Sequence, residues 1–146
     1  MRLLTDFAGY IFYRVSQTAE EVTPELLDWK PVEKANSVYW ILTHMTRIAY
    51  LLIPQLLMGT YNPDGWDDDY EQQKHSLSEI KNDLGKARVQ VLSLLEELDE
   101  AQLEEEIMIW GSKRPLKEPI FVLLGELLHH NGQIAMLRGI KKRVNQ

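Results

Sequence analysis

The side chains able to do chemistry in this chain are histidines, carboxylates and hydroxyls, because its 146 residues include no cysteine. That removes disulfides, thiolate metal sites, iron–sulfur clusters and cysteine nucleophiles together. The histidines are His44, His75, His129 and His130. At roughly 100° per residue, His44 lies about 60° from Ile41, the centre of its helix's apolar stripe, so it faces the interior or its shoulder. His130 lies about 80° from Ile120, beside Leu127 and Ile134, while His129 points nearly opposite. His130 therefore reads as inward and His129 as outward. His75, just ahead of a helix cap, reads as solvated.

Glu126 stands four residues before His130 and so stacks one helical turn away on the same side. A Glu and a His at this spacing can hold one cation between them, as paired histidines do in metalloproteases. Adding His44 from another helix makes two imidazoles and a carboxylate. Three protein ligands leave a position open to water, the pattern of catalytic zinc sites. The same donors suit Fe(II), Ni(II) or Mn(II), and ligand type alone does not choose among them. The residues also fit a plainer arrangement. In it His44 is a core histidine, His129 and His130 lie on a helix surface, and Glu126 is a solvated acid pairing with Arg138 or Lys81. There is no Gly-rich phosphate loop, no G-x-S-x-G elbow and no helical H-E-x-x-H.

The elements that must position these groups are helical, and the chain reads as a single domain over 1–146. One segment runs from about Leu3 to Val22, with Leu4, Ala8, Ile11, Val15, Thr18 and Val22 on one face. A second runs from Ser37 to Met58 with the stripe Val38, Ile41, Met45, Ile48, Leu52 and Leu56. Pro54 predicts a kink or break in it. A third spans Leu77–Leu98 on Ile80, Leu84, Ala87, Val91, Leu94 and Leu98, opened by the capping box Ser76/Glu79. The fourth is expected from near Pro119 to about Arg138, with Gly139 as its stop. Its inner side carries Ile120, Leu124, Leu127, Asn131, Ile134 and Arg138. Four matched amphipathic helices make an all-α four-helix bundle. Its connections are long, so simple up-down-up-down order is not required. Thr23–Leu27 reads as a capped single turn, Glu104–Glu106 as a solvated turn, and Ile107–Arg114 as an extended or hairpin excursion. Gly85, Gly125 and Gly132, inside helices, suggest close helix contact. The aromatic residues Trp29, Tyr39, Trp40, Trp66 and Trp110 read as core and loop anchors.

Charge narrows the partners. Sixteen Lys and Arg against twenty-two Asp and Glu leave −6, which argues against nucleic acid. The stretch from Ile48 to Pro63 is uncharged, but it is too short and too broken to span a membrane. With Asp6 and Arg14 near the start, nothing there reads as a signal peptide, and a cytoplasmic location is expected.

Three stretches resemble the DinB/YfiT-like family of small metalloenzyme-like bundles. Leu27-Asp28-Trp29-Lys30-Pro31 followed by Asn36 to His44 is similar to the family's Trp-x-Pro turn and the helix bearing its first metal histidine. Trp110-Gly111 leads into the last helix. His129-His130-Asn131-Gly132-Gln133-Ile134 is similar to the family's His-His-Arg-Gly-Gln-Ile. The likeness covers nearly the whole chain, in order and spacing. It implies that His44 is the first ligand and His130 the last. Glu126 falls where the family usually has a third histidine, and Asn131 replaces its arginine. The resemblance further implies an up-down-down-up bundle, a homodimer and a divalent ion such as zinc or nickel. It points to a transferase or hydrolase acting on a small electrophilic molecule, with a low-molecular-weight thiol as possible co-substrate. The alternative is a non-catalytic or degenerate bundle that acts as a dimeric interaction protein.

Overall fold

Capped helix starts and apolar stripes lay out the chain as seven α-helices and one hairpin among the described residues. The structure is a computed structural model and describes residues 2–65 and 69–145. Trp66 and the acidic pair Asp67–Asp68 lie outside the described residues.

Helix α1 (Arg2–Glu21) buries the expected face, with Phe12 and Ala19 added to it. Thr23 then accepts from the Leu26 N–H and, with Pro24 in the first turn, nucleates the short α2 (Pro24–Leu27). Ser37 caps α3 (Val38–Arg47) by accepting from the Trp40 N–H at 3.1 Å.

Pro54 does not break the second segment. It cannot donate to the carbonyl four residues back, and its ring would crowd that carbonyl. The helix widens instead into a π-turn over Ile48–Leu52, where the Ile53 N–H reaches the Ile48 carbonyl, and continues as α4 (Ile53–Met58). Gly59 ends it at φ 70°, a left-handed conformation that glycine adopts without steric cost. The full span Val38–Met58 is long and apolar enough to cross a membrane by length and composition, but 61% of its most apolar window is buried within the fold. Its composition is that of a core helix.

Helix α5 (Leu77–Glu97) opens on the complete Ser76/Glu79 capping box. The Ser76 N–H bonded to Glu79 holds that carboxyl below its ordinary pKa. Leu95 is buried where Leu94 was expected, the buried face taking a step of four after Val91 where the expected stripe took three. Asp99 caps α6 (Glu100–Glu104), which leads into strands β1 (Glu106–Ile109) and β2 (Ser112–Pro115), paired antiparallel. The turn between them, Trp110-Gly111, has φ 51° and 77°, the signs of a hairpin-favouring turn. So the excursion is a hairpin, and Glu104–Glu106 is exposed as expected but is no turn: it ends α6 and begins β1.

The last helix, α7 (Lys117–Val144), corrects two expectations. It begins two residues before Pro119, which still lies in the first turn where no N–H is needed. It also runs through Gly139 to Val144. A mid-helix glycine costs only about 1 kcal/mol. Tertiary ties offset that cost here: Lys141 Nζ donates to the Glu25 carbonyl at 2.6 Å, and Arg138 pairs with Glu21. The expectation for the helix glycines is also corrected. A Cβ at Gly85, Gly125 or Gly132 would meet nothing within 4 Å, so no neighbouring helix demands glycine there.

Helix α1 packs on α5 and α7, and the α3–α4 segment packs on the same two helices from the other side. The buried residues of these elements form one continuous core, including the whole expected stripe from Val38 to Leu56.

Candidate metal centre

His44, Glu126 and His130 each offer one donor atom, and those atoms all lie within 4.8 Å of one another. Helix α3 supplies the first. Its Ser37 cap and buried Ile41, Met45 and Ile48 set the rotation that leaves His44 on the shoulder, half-buried. Helix α7 supplies the other two. Leu123, Leu127 and Ile134 seat it in the core, so His130 is 8% exposed and Glu126, a turn earlier, stays half-exposed. The rings of His44 and His130 meet edge to face, with centroids 4.8 Å apart.

Both imidazoles are held by their Nδ1 atoms. His44 Nδ1 lies 2.5 Å from Glu71 Oε1. A carboxylate oxygen accepts, so in the neutral ring the proton sits on His44 Nδ1 and Nε2 is the nitrogen that carries the lone pair. His130 Nδ1 donates to Gln133 Oε1 at 2.7 Å, and the Gln133 amide N–H in turn donates to His129 Nε2 at 3.3 Å. His130 Nε2 is thereby also left with a lone pair. Such outer partners fix the tautomer and ring orientation of metal-binding histidines.

Glu126 Oε2 comes within 3.1 Å of His130 Nε2, yet that nitrogen is buried and has no hydrogen-bond partner. The two facts agree if the carboxylate lies off the direction in which the ring nitrogen bonds. A buried nitrogen lone pair without a partner is costly in an apolar interior. A cation among the donors would satisfy it. Charge points the same way: two neutral imidazoles with the carboxylates of Glu71 and Glu126 sum to −2, which one divalent ion cancels. The donor set therefore fits a divalent metal.

Glu71 escaped the sequence reading, since it lies on a 3₁₀ turn (Tyr70–Gln72) with no helical periodicity to mark it. The turn is anchored on both sides. Buried Tyr70 donates its phenol to Asp83 Oδ2 at 2.8 Å, and burial together with that carboxylate pushes the phenol well above its ordinary pKa. His75 is not freely solvated, as had been expected. Its ring stacks on Tyr70 at 4.0 Å and its Nε2 donates to the Tyr70 carbonyl at 2.9 Å, while its backbone N–H reaches Tyr39 Oη.

Trp40, expected as an anchor, instead stacks on His44 with centroids 5.1 Å apart and an interplanar angle of 9°, and is 40% exposed. His129 is exposed, as expected. Asn131 is 3% exposed, deeper than any of the three donors. Arg138 and Lys81 pair with Glu21 and Glu20, not with Glu126.

A family model described as the DinB superfamily matches residues 12–134. Among solved structures, a DinB-like protein from Bacillus subtilis superposes with a TM-score of 0.73 at 17% identity, covering 95% of this chain and 92% of that one. A DinB-like protein from Bacillus cereus does so with a TM-score of 0.73 at 17% identity, covering 91% and 87%. A conserved protein from Enterococcus faecalis gives 0.67 at 19% identity, covering 94% of each chain. No curated protein matches the sequence.

Proposed function

The chain belongs to the DinB superfamily, and on that premise we propose that it is a divalent-metal-dependent enzyme whose ion is held by His44, Glu126 and His130. The reading rests on one observation above the others: His130 Nε2 is buried without a hydrogen-bond partner beside two further donors.

When bound, the ion would lower the pKa of a water or a low-molecular-weight thiol at its open position, making a nucleophile near neutral pH. The chain's own residues do the rest. Glu71 keeps the His44 proton on Nδ1 and so aims Nε2 inward. Gln133 does the same for His130 through its carbonyl oxygen. Glu126, half-exposed, supplies the charged donor and faces the solvent side from which a small electrophilic substrate would arrive. Trp40, stacked on His44, stops that ring from swinging outward and offers an apolar wall to the substrate. The reaction class is transfer to the thiol or hydrolysis.

For the architecture we read a four-helix bundle in up-down-down-up order with long connections. The Arg138–Glu21 pair, which joins the ends of α7 and α1, supports it. So does Lys81 lying 3.9 Å from Glu20, with α5 starting where α1 ends. The bond from the His75 N–H to Tyr39 Oη brings the starts of α3 and α5 together.

Metal content of the protein purified without added metal, followed by thermal melts with zinc, nickel, iron(II) or manganese, tests the proposal. One of these ions at a hundred times its Kd adds about 2.7 kcal/mol, a rise of about 5–10 °C in Tm. His130→Ala and Glu126→Ala abolish that rise. A wild-type melt that ignores all four ions overturns the proposal and leaves the non-catalytic bundle.

A further inference from the structure

Glu71 holds the His44 ring, so whatever holds Glu71 bears on the donors. Its own backbone does little. The 3₁₀ turn Tyr70–Gln72 is three residues long, and no side chain caps its start. The N–H groups of Gln72 and Gln73 close it on the Asp69 carbonyl, at 2.9 and 3.1 Å. A turn this short has strained hydrogen-bond geometry and does not keep its place unaided. Its position must be set from outside.

Three elements set it, and all of them act on Tyr70, the residue beside Glu71. From α5, Asp83 accepts the phenol proton at 2.8 Å. From the π-turn, Tyr50 meets the Tyr70 ring at a steep angle, with centroids 6.3 Å apart. From α3, Tyr39 Oη accepts the His75 N–H, and His75 then stacks on the Tyr70 ring and donates to its carbonyl. Successive side chains of a 3₁₀ turn project about 120° apart, so an inward Tyr70 fixes the direction in which Glu71 projects.

The bond to Asp83 is the strongest of these ties on chemical grounds. It is charge-assisted, and Tyr70 is 6% exposed, so losing the acceptor would strand a buried donor. The same burial keeps the phenol protonated and able to donate. Asp83 stands on α5, which carries none of the three metal donors. It is linked to them through Tyr70, Glu71 and His44 in turn.

We propose that Asp83 and Tyr70 are positioning residues for the metal centre: their bond holds Glu71 against His44 and so selects the ring tautomer that leaves Nε2 free for the ion. The proposal rests on the metal reading above, but its first test uses metal-free protein. Proton–nitrogen correlation NMR of the histidine rings, at a pH where they are neutral, reports which nitrogen carries the proton. Wild type is expected to show His44 protonated on Nδ1. Tyr70→Phe keeps the buried ring and its stacking, and Asp83→Ala removes the acceptor. Both are expected to keep wild-type circular dichroism and to show a mixture of His44 tautomers. Zinc affinity, by competition against a chelating dye, is expected to fall roughly tenfold in each. In a chain that already carries Glu71→Ala, adding Tyr70→Phe is expected to lower zinc affinity no further, whereas a merely structural bond gives independent losses that add. Folded Tyr70→Phe and Asp83→Ala variants with the wild-type His44 tautomer overturn the proposal, and so do additive losses. A wild type that binds none of the four ions overturns the metal reading, and the tautomer result then decides whether Asp83 and Tyr70 position His44.

Discussion

The inner side of α7 carries Ile120, Leu124, Leu127 and Ile134, each at most 1% exposed, while its outer side carries Phe121, Val122, Leu128 and Met136, each at least 36% exposed. Composition barely separates the two sides, yet their surroundings differ. The inner side meets the α3–α4 segment and α1, and along its edge it aligns His130 and Glu126 with His44. The outer side meets no other element in this single chain at Gly125 and Gly132. Apolar periodicity thus names a buried face only where a second element covers it.

Truncation on each side breaks or keeps this contrast most sharply. Leu124→Ala opens a cavity among packed neighbours and should cost about 2–5 kcal/mol, because the transfer and cavity terms add. Leu128→Ala, read by urea denaturation at low chain concentration, should change stability by only about 0.5 kcal/mol or less. A loss at Leu128 matching that at Leu124 would mean that the outer face is packed within one chain, and the contrast would fail.

A second comparison lies within the inner edge, between the two histidine tethers. Glu71 holds His44 with a formal charge at 2.5 Å, whereas Gln133 holds His130 with a neutral amide at 2.7 Å. A charge-assisted bond is roughly twice as strong as a neutral one. Glu71→Gln should therefore lower affinity for a divalent ion at the proposed centre by roughly 10–100-fold, with the fold intact by circular dichroism. Gln133→Ala should lower it less. Competition against a chelating dye measures both. Equal affinity in wild type and Glu71→Gln would remove Glu71 from the site.

The legible part of this molecule is what helical geometry repeats. The stripe from Val38 to Leu56, the Ser76/Glu79 cap and the i, i+4 placement of Glu126 before His130 each follow from spacing, and the structure agrees with all of them. What spacing cannot show is contact between distant segments. Glu71 reaches His44 from 27 residues away, through a turn pinned by Tyr70 on Asp83. Gly139 looks like a helix stop until Lys141 is seen tied to the Glu25 carbonyl. The widening at Ile48–Leu52 is a third case, since Pro54 marks the strain but not whether the helix breaks or bulges to relieve it.

The smallest expected effect sets the outer side of α7 against an exposed face of α5 and uses a single added methyl group. Gly132 and Gly85 are both exposed helix glycines whose Cβ would meet nothing within 4 Å, one on the outer face of α7 and the other on α5. In an isolated chain, Gly132→Ala and Gly85→Ala should each raise stability by about 1 kcal/mol, since alanine loses less backbone entropy on entering a helix. Thermal melts at low chain concentration measure both. A loss of stability at Gly132 where Gly85 gains would mean that the outer face of α7 is packed within the chain, and the contrast drawn between its sides would fail.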